Sequence, residues 1–174
     1  LDSLIKAFDY TIKLFEIRNK RKDRHYEQYV HVCYESAKLV RDDFIAIFKE
    51  NENILQSQKC IRTAIDNINK QREVNLSKRD TLRTNLISVR DSELTEFEIG
   101  LKRLVLGHES HALVSNRMQL FSLARRMTYA DEASYDMYIN HALCLNDEAI
   151  KIVEKSWQLI NVGYAKYKEE YLNR

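Results

Sequence analysis

Proline is absent from this 174-residue chain, and glycine occurs only three times. Average usage would supply about nine prolines and twelve glycines at this length. Turns draw on both residues, so their scarcity leaves room for few turns, and hence for few, long elements. Three isolated glycines cannot build a phosphate-cradling loop, which excludes the usual nucleotide-dependent enzymes. Cysteine is sparse as well. Cys33, Cys60 and Cys144 are odd in number and widely spaced. No Cys-x-x-Cys or Gly-x-Ser-x-Gly occurs, so thiol-redox and serine-hydrolase chemistry have no motif to stand on. The three thiols read as reduced, small core residues of a cytoplasmic, reducing compartment. No run of 18 apolar residues is present, so no segment reads as a membrane span. Neither charge sign dominates. The 28 Lys and Arg against 26 Asp and Glu leave a net charge of +2, too mild by itself to imply a nucleic-acid partner. The chain begins at Leu1 and not at Met, which leaves room for a targeting or membrane-tethering segment ahead of it.

What is present is charge and helical periodicity. Charged residues make up 31% of the chain and apolar residues 44%, with Lys, Glu, Leu, Ile and Arg abundant. Long elements of that composition are helices. The chain reads as a single all-α domain over 1–174, an antiparallel bundle of four to six helices, some long and coiled-coil-like. The organising stretch is Tyr26 to Ile68. Apolar residues recur there at steps of four and three: Tyr26, Val30, Cys33, Ala37, Val40, Phe44 and Ile47. The same phase continues through Asn51, Ile54, Gln58, Ile61, Ile65 and Ile68. Asn51-Glu-Asn53 is its weakest point, where a hairpin turn would fall. The unbroken phase favours one bent helix of roughly 65 Å instead, with Asn51 and Gln58 as register-setting or solvent-facing positions.

The other segments follow the same logic. Leu1 to about Lys20 is amphipathic. A third helix opens at Leu82 and ends at the Gly107 cap. A fourth covers about His111 to Met127. Thr128 and Asp131 resemble a capping box before the last helix, which runs from about Asp131 towards Leu172, with a kink expected near Asn146-Asp147. That helix carries the stripe Ile150, Val153, Trp157, Ile160, Tyr164, Tyr167 and Tyr171. No internal repeat and no low-complexity segment occurs.

Candidate chemistry is thin. His108 and His111 sit three apart instead of the four that a zincin helix requires. His141 and Cys144 could share a zinc ion with His31 and Cys33 only if their helices met there. The Glu-x-x-His unit of di-iron bundles is missing. No metal or other cofactor is therefore expected. One pattern does carry catalytic logic. Arg24-His-Tyr-Glu-Gln-Tyr-Val-His31 is similar to the Arg-polar-spacer-His motif of the HEPN domains, a family of small all-helical ribonucleases. The resemblance covers eight residues and implies a metal-independent ribonuclease. Arg24 would orient the scissile phosphate, and His31 would move the proton of the 2′-hydroxyl. The family's motif usually ends its last helices, whereas this one lies near the start.

Two further readings are of a different class. The basic run Arg18, Lys20, Arg21, Lys22 and Arg24 could face anionic lipid or RNA phosphate, as in a peripheral membrane-binding helical dimer. Ten tyrosines, several on helix stripes near their ends, suit a protein-binding surface. Apolar stripes that outlast a compact core call for a second chain to cover them. The leading expectation is thus a non-enzymatic helical scaffold or protein-interaction domain that self-associates. Its candidate contacts are Phe44, Phe48, Trp157, Tyr164 and Tyr167. On this reading, changing Tyr164 and Tyr167 together to Ser breaks a homodimer and leaves the helices folded.

Overall fold

The computed structural model describes residues 13, 16–17, 20–21, 23–74, 77–80, 82, 95–105 and 112–173. Most of the expected first helix lies outside them, as do Arg18, Lys22, residues 83–94, the Gly107 cap, His108 and His111. The described chain is all helical, with no strand among the described residues. A π-helical turn, Tyr26–Val30, runs directly into α1 (His31–Gln58). Then come α2 (Ile61–Val74), α3 (Thr95–Val105) and α4 (Ala112–Met127). A single 3-10 turn, Glu132–Ser134, leads into the longest element, α5 (Tyr135–Leu172).

The organising stretch is neither one helix nor a hairpin at Asn51–Asn53. Helix α1 runs straight through those asparagines and stops at Gln58. Lys59 turns the chain with a left-handed backbone at φ 49°, ψ 37°, the only positive φ among the described residues. Helix α2 then returns along α1, and Asn67 Nδ2 donates to Asn51 Oδ1 at 2.7 Å. The apolar phase misled because the two-residue break happens to preserve it. Ile61, Ile65 and Ile68 are buried, but on a second helix and not on a continuation of α1. Asn51 is fully buried, while Gln58 is exposed.

Contacts between α1 and α5 follow an orderly ladder. Lys59 Nζ meets Asp136 Oδ1 at 2.7 Å, and Asn146 Nδ2 donates to the Phe48 carbonyl at 2.7 Å. Further on, Arg41 Nη2 pairs with Glu154 Oε1 at 2.5 Å, and His31 Nδ1 lies 2.9 Å from the Tyr164 hydroxyl. The buried stripe of the π turn and α1 is Val30, Cys33, Ala37, Val40, Phe44, Ile47, Phe48 and Leu55. No break occurs in α5 at Asn146-Asp147, because the Asn146 side chain spends its donor across the interface and not on its own backbone. Nor does Thr128 cap a helix. Its hydroxyl donates back to the Ala124 carbonyl at 2.9 Å, closing the end of α4.

Helix α3 lies on the far half of α5, and two glycines set how close it comes. A Cβ on Gly100 would sit 2.7 Å from Ile160 Cγ1 and 2.8 Å from the Ser156 carbonyl oxygen. A Cβ on Gly163 would collide with the backbone nitrogen of Phe97. Backbone touches backbone here, a contact only glycine permits. Phe97, Leu101 and Leu104 are buried in the resulting seam, and Lys166 Nζ ties its rim to Glu96 at 2.6 Å.

Candidate functional site

Four of the five aromatic residues expected to meet a partner are buried in the chain's own core, and the fifth packs against it. Phe44, Phe48, Tyr164 and Tyr167 are 3%, 0%, 9% and 1% exposed, so no second chain reaches them while this packing holds. Trp157 is half-buried. Tyr34 of α1 stacks on Tyr164 with ring centroids 3.9 Å apart, and on Trp157 at 5.4 Å. Its hydroxyl donates to Asn161 Oδ1 at 3.0 Å. Phe97 closes the far side of Tyr164 at 6.2 Å. The tyrosine-rich ends are a core edge whose hydroxyls find polar partners.

Both members of the candidate nuclease pair are exposed, Arg24 and His31 alike, and the His31 ring also stacks on Tyr164 at 6.3 Å and engages its hydroxyl. His25 engages the Tyr167 hydroxyl in the same way at 3.2 Å. Both histidines thus act as polar ends of the aromatic stack. Of the basic run, Lys20, Arg21 and Arg24 are exposed.

No group of three or more metal-ligating side chains occurs among the described residues. The proposed four-residue set cannot assemble. His31 packs beside Tyr164, which is roughly 35 Å along α5 from His141 at the α-helical rise. His141 and Cys144 are exposed, which for Cys144 corrects its expected place in the core. Of the thiols only Cys33 is a core residue, and burial pushes its pKa up to about 12. Cys60 precedes α2, and its thiol is shifted below the ordinary range. The Thr63 hydroxyl, then the Thr63 amide, supply the hydrogen bonds that favour the thiolate.

Sequence reasoning passed over the surface between α2 and α4. These helices pack together, and Arg117 Nε of α4 donates to Asn69 Oδ1 of α2 at 2.6 Å. Towards the turn they separate into a groove of about 690 Å³ lined by Arg62, Ile65, Phe121, Ala124, Arg125 and Tyr129. Phe121 is 63% exposed, Tyr129 is 86% and Met118, one turn before Phe121, is 65%. Large apolar side chains exposed together mark a binding surface more often than scattered ones do. The signal was present in the sequence. Helix α4 carries Arg117, Arg125 and Arg126 and no carboxylate, in a chain whose net charge is only +2. Its wide apolar face was visible too, but which part of that face stays uncovered depends on where α2 and α5 lie.

No helix of the described residues is long and apolar enough to cross a membrane. No protein-family model, curated protein or solved structure matches the chain.

Proposed function

We propose that the chain is a non-enzymatic helical scaffold, an antiparallel bundle that acts by binding protein. The observation that carries this reading is the set of exposed Met118, Phe121 and Tyr129 along α4 and the turn after it. Solvent exposure of such side chains is costly, and they are the residue types that anchor interfaces. The stripes first credited with self-association are spent on internal packing, so the interaction surface moves to α4. A symmetric contact of two α4 helices would set arginines against arginines, which favours a partner other than a second copy.

Two measurements test this. Proximity labelling in cells with wild type and with a Met118→Glu/Phe121→Glu variant compares the neighbours of each. Loss of a defined set of proteins from the variant supports the reading, whereas identical sets sink it. Metal-independent cleavage of RNA that is abolished by His31→Ala would establish an enzyme and overturn the non-enzymatic part.

A further inference from the structure

We infer that the groove between α2 and α4 is a docking site for an acidic amphipathic helix of a partner protein. The inference rests on the protein-binding reading above and names the partner's chemistry. Charge is the first argument. Arg62 on α2 and Arg125 on α4 line the groove from opposite helices, and neither reaches a carboxylate within ion-pair distance among the described residues. Like charges set across a cleft repel one another, and an anionic occupant turns that cost into attraction. Arg117 and Arg126 extend the positive character of α4, and Asp66 is the one carboxylate in the groove lining.

Shape is the second argument. The groove has a floor of Ile65 and Ala124 and aromatic walls at Phe121 and Tyr129, so the occupant needs an apolar ridge as well as acid. Met118 prolongs the apolar strip by a turn. From Met118 to Tyr129 it extends on the order of 16 Å, which suits an elongated segment better than a small ion. The walls are two helices and the turn after α4, with no strand edge among the described residues to lengthen. An incoming segment must therefore satisfy its own backbone, and a helix does so. A ridge of Leu or Phe at i, i+3 and i+7, flanked on both sides by Glu, fits these requirements. A bilayer is a worse match, since Phe121 and Tyr129 flank a concave floor and a membrane surface is flat.

The test uses the full chain and a synthetic 18-residue helical peptide with that Leu/Phe ridge and Glu on both flanks. Its controls are the same peptide with Lys for Glu and one with a central Pro. Fluorescence anisotropy reads the affinity, and amide chemical shifts map the site. The expected result is saturable binding of the acidic peptide with shifts confined to α2 and α4. Affinity falls about tenfold or more for Arg62→Glu/Arg125→Glu, as for other interfacial charge reversals, while the melting temperature is unchanged. Equal binding of the Lys peptide, shifts elsewhere, or no saturable binding overturns the inference. So does protection of α4 by vesicles containing phosphatidylserine with no response to the peptide. If the peptide fails but Met118→Glu/Phe121→Glu still removes cellular neighbours, the acidic helix falls and the protein-binding reading stands.

Discussion

At Lys59 a single residue decides the course of the chain. An L-residue at φ 49° carries a cost of about 1 kcal/mol that glycine avoids. Lys59 recovers little of it through Asp136, because both partners of that ion pair are largely exposed. Lys59→Gly is therefore expected to raise stability by about 0.5 kcal/mol after the entropic cost of glycine. Lys59→Val should lower it by about 1 kcal/mol or more, and urea denaturation midpoints read both. Cys33 makes a different single-residue prediction. Its thiol is raised from 9.0 to about 12 in the folded chain by burial. Below the unfolded value both states hold the proton, so stability is unaffected there. Above it the unfolded thiol ionises and the folded one does not. Stability should then fall between about pH 9 and 12. Cys33→Ala removes that part of the alkaline slope, and an unchanged slope would show that the thiol is not what titrates.

Two helices meet closely only where the small residues on each are aligned, and α3 and α5 do so at Gly100 and Gly163. Gly163→Ala should cost about 1–3 kcal/mol, since the added methyl meets the backbone of Phe97 and not a side chain that can swing away. If thermal melting of the variant matches the wild type, the close approach is absent in solution. The aromatic stack predicts the reverse of what its sequence pattern suggested. Removing a fully buried ring such as Tyr167 costs on the order of 3–5 kcal/mol. Tyr164→Ser/Tyr167→Ser should accordingly unfold the α1–α5 pairing, read as lost helical circular dichroism. The periodicity that placed Val30, Cys33, Ala37, Val40 and Phe44 on one face was legible because spacing is a property of one helix. Which partner covers that face is a property of two. The stripe at Tyr164 and Tyr167 therefore looked like an interface between chains when it is an interface between helices of one chain. The interior glycines were legible as costs to a helix, and only the position of α3 shows what they permit. Helix α4 was found nearly to the residue, yet its uncovered arginine-rich face depends on packing no pattern reports.

Across the whole molecule, four helices are linked at one level by a closed circuit of polar contacts. Asn51 joins α1 to α2 through Asn67, and Asn69 joins α2 to α4 through Arg117. Asn116 Nδ2 donates to the Leu145 carbonyl at 3.0 Å, joining α4 to α5, and Asn146 returns from α5 to α1. Asn51, Asn116 and Asn146 are each at most 2% exposed. Every one of them also keeps an atom with no partner among the described residues: Asn51 Nδ2, Asn116 Oδ1 and Asn146 Oδ1. A buried polar atom left unpaired costs about 1–3 kcal/mol, so this circuit is a poor way to gain stability. Its value lies in register. Sliding one helix by a residue would break several links at once, whereas apolar contacts tolerate such slips. The triple change Asn51→Leu/Asn116→Leu/Asn146→Leu should therefore equal or exceed the wild type in unfolding free energy. It should also lose uniqueness, seen as broadened amide resonances, dye binding or mixed association states. A triple variant destabilised by several kcal/mol with sharp resonances would show the opposite, that the asparagines hold the fold up and do not merely align it.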